Sequence, residues 1–395
     1  MRFASRLDQL PPYVFSELRR KITEKKAAGH DVISLGAGDP DLPTPDSIIN
    51  AAVLGLRDPI NHRYPDNQGK PEFRMAIANF MKNRFNIELD VGSEIYPCLG
   101  GKEAIHHLAL LTLSPADVAL SPDLGYPLYR TGPVLAGADV FAMPLVAEKR
   151  FLPDFEAIPK SELARARLMY LNYPNNPTGA IATPEFFAEV VEFARANDIV
   201  VVHDNAYSEI SFDDYKPPSF LQTPGAIDIG VEVHSLSKSW NMTGWRLGWI
   251  AGNSEIISRY ARLKPNVDAG IFGAMQFAAI KALTDERDFP GCMSKIYQDR
   301  RDLVRDLLTK AGLSVVDQKA TPFMWVQVPD GFSSQEFADE LFGVADVVVS
   351  AGSSFGTSGE GFFRIALMNQ NQRLIEATER ICKFVAENDK YLLEN

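Results

Sequence analysis

The chain has 395 residues, of which 46% are hydrophobic, so it is long enough for two domains and can bury a large core. Its 40 basic and 51 acidic residues give a net charge of −11 at pH 7 without long runs of either sign, which argues against nucleic acid or an anionic membrane as a partner. Three scattered cysteines without a CxxC spacing, and an N-terminus without an apolar run of signal-peptide length, predict a cytoplasmic protein with neither disulfides nor a zinc site.

The predicted elements alternate between helix and strand along the chain. A Gly/Pro-rich segment, residues 35–45, comes before an amphipathic helix pattern formed by Phe73, Ala76, Ile77, Phe80 and Met81. Short apolar runs then predict strands at residues 116–120, 168–171, 199–202 and 231–233. A last helix pattern near the C-terminus comprises Leu374, Ile381, Phe384 and Val385.

One predicted helix lies between the second and third of these strands. Thr183 is suited to its N-cap and Pro184 to its first position, and apolar residues follow at helical spacing. A strand–helix–strand unit of this kind is typical of a mostly parallel sheet covered by helices. The chain after residue 288 again mixes strands and helices, so we expect a small domain built from both termini.

Three polar clusters follow predicted strands. They are residues 172–179 (NYPNNPTG), 204–207 (DNAY) and 235–246 (SLSKSWNMTGWR). Open α/β sheets bind ligands at the carboxyl ends of their strands, so we expect these clusters to share one edge of the sheet.

Lys238 lies between two serines just past an apolar strand. A lysine whose pKa is lowered can form a Schiff base with a carbonyl compound. Ser235, Ser237 and Arg246 are suited to hold a phosphate through hydroxyl donors and a bidentate guanidinium. The ordinary alternative is an exposed loop rich in serine and lysine.

Asp204 ends a predicted buried strand, where a carboxylate without a cation is costly. The protonated ring nitrogen of pyridoxal 5'-phosphate (PLP) is a suitable cation, and Asn176 and Tyr207 could donate to the phenolic oxygen of that cofactor. The structural alternatives are a helix-capping aspartate, an asparagine in a proline-flanked turn and a packed tyrosine.

Two histidines, His203 and His234, stand next to these clusters. Each ends an apolar strand, and no metal-ligand spacing joins them to the other four histidines, so we interpret both as structural. We predict no metal site.

Eight segments, in order along the chain, resemble those of the class I/II aminotransferases, which are PLP enzymes of fold-type I: SLGAGDPDLPTP, RYPDNQG, LGGKEAI, PDLGYP, LNYPNNPTGA, HDNAY, SLSKSWNMTGWRLGW and FFRIAL. The resemblance implies a mostly parallel seven-stranded sheet in a large PLP-binding domain, residues 46–288. It also implies a small α+β domain that combines residues 289–395 with an N-terminal arm in residues 1–45.

The same resemblance implies the roles of the residues around PLP. Lys238 would carry the cofactor and shuttle protons, and Asp204 would pair with the ring nitrogen. Asn176 and Tyr207 would contact the phenolic oxygen, and Tyr126 would stack on the ring; a packed tyrosine is the alternative for Tyr126.

Phosphate and substrate contacts also follow from the resemblance. The backbone N–H groups of Gly101 and Lys102, at a helix N-terminus, would join the phosphate site. Arg364 would clamp the substrate α-carboxylate with help from the Gly38 backbone, the alternative being a solvated strand arginine. Tyr64 would reach the phosphate of a neighbouring subunit, which implies a homodimer.

Within the family, segments such as LPPYVF, NHRYP and YSEISFDDYKPPSF resemble the LL-diaminopimelate aminotransferases. That resemblance implies glutamate and 2-oxoglutarate as the partner pair, with Tyr13 closing over the substrate and Lys102 near its distal carboxylate. The alternative for Lys102 is a solvated side chain. Three positions depart from the pattern: Gly101 replaces a common serine, Ala104 replaces a glycine, and the expected glutamate is missing beside the RYP turn, where only Asp66 is charged.

These departures leave other functions open. Aminotransfer from aspartate, alanine, or methionine and aromatic amino acids is the first alternative. A PLP β- or γ-lyase and a non-catalytic PLP-binding module are the others.

Overall fold

The fold is described for residues 1, 3–10 and 14–388 of a computed structural model, and for the side chains of these residues except 14–17. The helices are α1 (Val14–Ala27), α2 (Asp46–Arg57), α3 (Pro71–Phe85), α4 (Gly101–Thr112), α5 (Leu128–Ala136), α6 (Lys160–Leu163), α7 (Pro184–Ala196), α8 (Ala226–Ile229), α9 (Leu236–Ser239), α10 (Ser254–Leu263), α11 (Gly273–Thr284), α12 (Phe289–Lys310), α13 (Ser334–Ala345) and α14 (Asn371–Asn388). The strands are β1 (Ile33–Ser34), β2 (Ile95–Cys98), β3 (Val118–Pro122), β4 (Asp139–Met143), β5 (Ala166–Asn172), β6 (Val200–Asp204), β7 (Gly230–Ser235), β8 (Gly248–Gly252), β9 (Phe323–Gln327), β10 (Val347–Val348), β11 (Ser350–Ala351) and β12 (Phe362–Ala366).

The largest sheet has seven strands in the order β2-β8-β7-β6-β5-β3-β4. Strand β8 runs antiparallel to both of its neighbours, and every other pair is parallel, which confirms the predicted mostly parallel seven-stranded sheet. All four predicted strands belong to it. The first begins two residues later than predicted, because the Asp117 N–H bonds the Ser114 carbonyl in a turn in which Ala116 has φ +73°.

The helices form where the apolar spacing predicts them. Helix α7 begins as expected, since the Thr183 hydroxyl accepts a hydrogen bond from the Phe186 N–H. Pro184 suits the first position because it has no N–H that would be left without an acceptor. The apolar residues of α3 and α14 are buried as predicted, except that Phe80 is only partly buried. Among the described residues, no helix combines the length and the apolar character that a membrane crossing requires.

A second hydrophobic core lies apart from the large sheet. Strand β1 pairs in parallel with β10, and β11, β12 and β9 form an antiparallel sheet. Ile33 and Leu35 share this core with apolar residues between 293 and 385. The N-terminal segment therefore packs with the C-terminal part of the chain, while the domain limits at residues 45 and 288 stay a prediction.

Candidate active site

Strands β5, β6 and β7 end side by side and bring the three polar clusters together. Asn172 is in register with Asp204, and Asp204 with Val233. The Asn172 side chain joins two of the clusters, because its amide donates to the Asp204 carbonyl at 2.8 Å and its oxygen accepts from the Asn176 N–H at 2.9 Å. The parallel arrangement therefore creates one polar edge from segments that are distant in sequence.

Lys238 lies in the single turn of α9, just after β7. Ser235 caps this turn, since its hydroxyl accepts from the Ser237 N–H at 3.1 Å, and the Lys238 Nζ donates to the Gly38 carbonyl. Burial lowers the pKa of the Lys238 ammonium group to about 8, against the opposing charge of Asp39. The interpretation as an exposed loop lysine is therefore wrong, and a neutral amine is accessible near physiological pH.

Asp204 is buried, and its carboxylate is held by two donors. The Tyr129 hydroxyl donates to Oδ2 at 2.7 Å and the Ala206 N–H to Oδ1 at 3.2 Å. Burial raises the pKa of Asp204 above its ordinary value, although the Tyr129 hydrogen bond and the nearby His203 oppose this. Residues 206–209 form a turn, so Asp204 does not cap a helix. Sequence reasoning missed Tyr129, which no motif distinguishes from a packed tyrosine.

The two histidines beside these clusters share a buried acid. His203 Nδ1 lies 2.9 Å from Glu232 Oε1, and His234 Nε2 lies 3.0 Å from Oε2. The same carboxylate accepts from the Phe220 N–H at 2.6 Å and the Ser219 hydroxyl at 2.7 Å. These bonds satisfy the acid and confirm the interpretation of both histidines as structural. Glu232 itself was not singled out from the sequence.

Arg364 on β12 is only 4% exposed, so it is not a solvated strand arginine. Its guanidinium donates to Asn176 Oδ1 at 2.8 Å and to the Gly36 carbonyl at 2.6 Å, and lies over the Phe323 ring at 4.3 Å. Its Nε has no partner, and no carboxylate of the described residues pairs with it. Burial lowers its pKa to about 10. A buried cation without an anion is suited to receive a carboxylate from a ligand.

The aromatic side chains of the site lie around these charges. Tyr207 is buried with its ring edge against Phe323, 5.6 Å between centroids. Burial raises the pKa of its hydroxyl, and the Asn176 side chain opposes this shift. Tyr126 is partly buried, and its ring lies 6.1 Å from that of Tyr129 at 77°. Tyr126 therefore stands next to the tyrosine that holds Asp204.

The start of α4 lies beside Arg246. Gly100, the N-cap, has φ +82° and offers no side-chain cap, so the first N–H groups of the helix are left to other acceptors. The φ of +82° favours glycine at position 100, and a Cβ there would lie 2.6 Å from Arg246 Nη2, which places the guanidinium against the turn. Gly101 opens the helix, and the Lys102 side chain is exposed.

Three predicted residues lie elsewhere or outside the description. Tyr64 is 96% exposed. Asp66, near the RYP turn, is also exposed, and its carboxylate accepts from the Gln68 N–H at 2.9 Å. Tyr13 falls outside the described residues.

The residues at this edge fit PLP. The cofactor needs an amine for its aldehyde, an anion for its protonated ring nitrogen and donors for its phosphate. Lys238 offers the amine, and the buried carboxylate of Asp204 has no cationic partner bound to it among the described side chains. The uncapped start of α4 and the adjacent Arg246 offer the phosphate donors.

Comparison with known proteins agrees with this fit. The model of the family "Aminotransferase class I and II" matches residues 30–381. The LL-diaminopimelate aminotransferase of Desulforudis audaxviator is 49% identical over 96% of both chains, and that of Moorella thermoacetica is 46% identical over 96% of this chain and 98% of its own.

Solved structures agree as well. Substrate-bound BacF from Bacillus subtilis superposes with a TM-score of 0.94 at 36% identity and covers 97% of this chain and 98% of its own. An aspartate aminotransferase variant from Thermus thermophilus gives 0.90 at 26% identity and covers 97% and 100%. These similarities confirm the predicted fold-type I architecture, PLP as the cofactor and aminotransfer as the reaction. The chain belongs to the class I and II aminotransferase family.

Proposed function

We propose that this enzyme transfers the amino group of LL-diaminopimelate to 2-oxoglutarate, with PLP held on Lys238. One observation supports this reaction above all: the same site contains a buried arginine without an anionic partner among the described residues, Arg364, and a lysine whose pKa is lowered, Lys238. The substrate rests on relatives that carry the name LL-diaminopimelate aminotransferase and are 49% and 46% identical over 96% of this chain.

In this proposal each residue has one task. Arg364 binds the α-carboxylate and thereby aims the α-proton toward Lys238. The substrate amine would first replace Lys238 on the cofactor, and the neutral Lys238 amine released in this exchange would take that proton and return one later in the same half-reaction. When bound, PLP supplies the electron sink that stabilises the charge left by the departing proton. Asp204 keeps the ring nitrogen protonated, and Asn176 and Tyr207 bind the phenolic oxygen. The product leaves before the acceptor binds, so the kinetics are ping-pong.

The remaining site residues act on the cofactor and on the far end of the substrate. Tyr126 stacks on the ring, while Ser235, Ser237, Arg246 and the N–H groups at the start of α4 bind the phosphate. Lys102, which is exposed on the first turn of α4, approaches the distal carboxylate. Gly38 contributes its backbone to the α-carboxylate site, and Tyr13 closes over the substrate.

The distal ammonium of diaminopimelate is the weakest part of the match. The nearby side chains are Asp66, Asn67 and Gln68, of which only Asp66 is charged, and it is exposed. A neutral amide binds ammonium less well than a carboxylate does. Aspartate, alanine, or methionine and aromatic amino acids are the competing donors.

A panel of amino acids distinguishes these donors. The purified holoenzyme is mixed with each amino acid, and the absorbance change of the bound cofactor is followed in single turnover. Rapid conversion by LL-diaminopimelate and glutamate, with slow conversion by aspartate, alanine and phenylalanine, is the expected pattern. The reverse pattern would exclude diaminopimelate as the substrate, and release of ammonia without an acceptor would instead indicate a lyase.

The cofactor anchor is tested separately from the substrate. Lys238→Ala removes the amine that bonds PLP and moves the proton, so we expect turnover to fall by at least about 10³-fold. Lys383→Ala, at a lysine that is 76% exposed on α14, is the control and should keep full activity. Full turnover of Lys238→Ala would contradict the anchor.

The proposal includes a cytoplasmic homodimer. Apolar side chains of α2 and the turn after it are exposed: Ile49, Val53, Leu54, Leu56 and Ile60. Of these, Ile49, Val53 and Leu56 recur at helical spacing and share one face of α2. Helix α2 packs against α11, since a Cβ at Gly55 would lie 2.9 Å from the Ala274 backbone. Phe277 on α11 and Phe272 just before it are exposed as well. A contiguous apolar face is typical of a subunit interface, and the exposed Tyr64 follows it in the chain and enters the neighbouring site.

A further inference from the structure

Glu103 on the first turn of α4 reaches back to the turn that precedes the helix. Its Oε2 accepts from the Leu99 N–H at 2.7 Å, and the Leu99 carbonyl accepts from Arg246 Nη2 at 3.4 Å. The backbone of a single residue, Leu99, therefore connects Glu103 to the arginine assigned to the cofactor phosphate. The next residue, Gly100, has φ +82°, and a Cβ there would lie 2.6 Å from Arg246 Nη2, so the guanidinium packs directly against this turn.

The other carboxylate oxygen of Glu103, Oε1, contacts three side chains on the side away from the turn. Oε1 accepts from the Tyr260 hydroxyl on α10 and contacts His107 Nδ1 one turn along α4. Lys264 is completely buried, and its ammonium lies 3.3 Å from Glu103 and 2.6 Å from Asp268. Glu103, His107 and Asp268 place three potential metal-ligand atoms within 4.8 Å of one another, but the chain supplies the positive charge there through Lys264.

This surrounding keeps Glu103 ionised. Burial by itself raises the pKa of the carboxyl, yet the contact with His107, the charge of Lys264 and the Tyr260 hydrogen bond outweigh it, so that the pKa lies below its ordinary value. The Glu103 side chain is only 12% exposed, so moving it away would cost both the contact with the Lys264 ammonium and the hydrogen bond from the Tyr260 hydroxyl.

We propose that Glu103 is a positioning residue that sets the affinity for the cofactor phosphate by holding the turn Leu99–Lys102 against Arg246. Two features of the turn support this role. Helix α4 has no side-chain cap, which leaves the N–H of its first residue, Gly101, for an anion. The Glu103 carboxylate accepts from the Leu99 N–H, before the cap, and so does not compete for that donor. The inference rests on the proposed phosphate site at the start of α4.

A role of Glu103 in phosphate binding and a general structural role predict different effects of its loss on the affinities for PLP and for pyridoxal. If Glu103 positions the phosphate donors, its loss weakens PLP and spares pyridoxal, which has the same ring and aldehyde but no phosphate. If Glu103 only stabilises the fold around the site, both ligands lose affinity together.

The test uses the full-length chain stripped of cofactor and titrated with PLP and with pyridoxal, while the absorbance of the bound ligand is followed. Glu103→Gln removes the charge that pairs with Lys264, so we expect the dissociation constant for PLP to rise by about 10-fold or more and that for pyridoxal to change by less than about 2-fold. An equal rise for both ligands, or no rise for PLP, would overturn the proposal.

Tyr260→Phe provides a second variant in case Glu103→Gln does not fold, since it removes only one hydroxyl from the network. We expect a smaller loss of PLP affinity, again without a change for pyridoxal, and an unchanged affinity would contradict the proposal. Glu255→Gln, at a glutamate on α10 that is 76% exposed, is the matched control. If the wild-type chain binds no PLP, the cofactor site itself is wrong; if it binds PLP and the variants bind equally well, only the role of Glu103 is wrong.

Discussion

At the scale of single residues, the site contains buried charged groups that are not paired with an opposite charge among the described residues, although buried charges in proteins usually are. Asp204 has hydrogen-bond donors but no bound cation, and Arg364 has acceptors but no anion among the described residues. Lys238 is desolvated until its pKa falls to about 8. Such arrangements cost stability in the free protein, and a ligand that brings the missing charges removes that cost.

Tyr129→Phe tests the hydroxyl that holds Asp204. The pKa of Asp204 is already raised by burial, and loss of the donor to Oδ2 raises it further. Because the carboxylate must be ionised to pair with the ring nitrogen, activity is present above this pKa and is lost as the pH falls through it. We therefore expect the acid limb of the kcat/KM profile to move to higher pH, with turnover at pH 7 about 10-fold lower.

Tyr170→Phe is the matched control for this variant. Its ring stacks on Tyr129 at 5.3 Å and is equally buried, but its hydroxyl donates to the Ile105 carbonyl at 3.0 Å rather than to Asp204. An acid limb that stays in place for Tyr129→Phe, or that moves by the same amount for Tyr170→Phe, would refute the role of Tyr129.

Arg364→Lys tests the carboxylate clamp. A lysine keeps the charge but cannot offer two parallel donors, so we expect kcat/KM for amino-acid donors to fall by about 10- to 100-fold, mainly through a higher KM. Arg301→Lys is the control, since Arg301 is 2% exposed but bonds Asp213 within the chain at 2.6 and 2.9 Å. Steady-state kinetics with both variants decide the point, and an unchanged KM for Arg364→Lys would contradict the clamp.

At the scale of elements, Asp123 joins the end of β3 to the turn between β11 and β12. Its Oδ2 accepts from the Ser358 N–H at 2.5 Å and from the Thr357 hydroxyl at 2.9 Å, and Arg130 lies 2.5 Å from Oδ1. The large sheet and the three-stranded sheet that carries Arg364 are thereby connected close to Tyr126. The geometry of the site depends on this connection as well as on its own residues.

Asp123→Asn should therefore destabilise the fold in a pH-dependent way. Burial raises the pKa of Asp123, but the donors from Ser358 and Thr357 outweigh it and the pKa lies below its ordinary value. The stabilisation is then present above the unfolded pKa of about 3.9 and is lost as the pH falls through the folded value. We expect Asp123→Asn to lower the free energy of unfolding by about 2 kcal/mol at pH 7, seen as a lower thermal midpoint. The difference from the wild type should become smaller below about pH 4, as the wild-type carboxylate becomes protonated.

Asp139→Asn is the control for this prediction, because Asp139 is 64% exposed and pairs only at the surface with Arg165. Its thermal midpoint should stay close to that of the wild type at every pH. An Asp123→Asn deficit that persists unchanged into acid would mean that the carboxylate charge does not contribute.

At the scale of the whole molecule, the proposed dimer would complete the site. The apolar face on α2 and α11 is exposed in the single chain, and so is Tyr64. In a twofold dimer both subunits use the same surface, so an exposed side chain that projects from this surface contacts the other subunit. We likewise propose that the large domain extends from residue 46 to residue 288.

Subunit mixing tests the dimer and the role of Tyr64 together. Lys238→Ala and Tyr64→Ala are each expected to be nearly inactive, since every site in either homodimer lacks one group. Hybrid dimers contain one complete site, so mixing equal amounts should restore about one quarter of the wild-type activity. Refolding the two chains together and measuring turnover gives the answer, and no recovery despite demonstrated hybrid dimers would mean that Tyr64 acts within its own subunit.

Much of the chemistry could be read from the sequence. Polar residues at strand ends predicted that Lys238, Asp204 and Asn176 share one edge, since parallel neighbours end on the same side of a sheet. The sequence of strand and helix patterns likewise determined the type of sheet. Element limits were less certain: the strand expected at residue 116 begins at Val118, because a local turn competes with the apolar pattern.

Only the tertiary structure decided which residues hold the reactive groups in place. Tyr129 bonds Asp204 across 75 residues, Glu103 bonds Tyr260 across 157, and Arg364 bonds Asn176 across 188. In sequence Tyr129 and Tyr260 resemble ordinary packed tyrosines and Glu103 an ordinary first-turn glutamate, while Arg364 was predicted as the carboxylate clamp without its bond to Asn176. Periodicity reports which face of an element is buried, but a hydrogen bond depends on distances of about 3 Å between elements, and packing alone sets those distances.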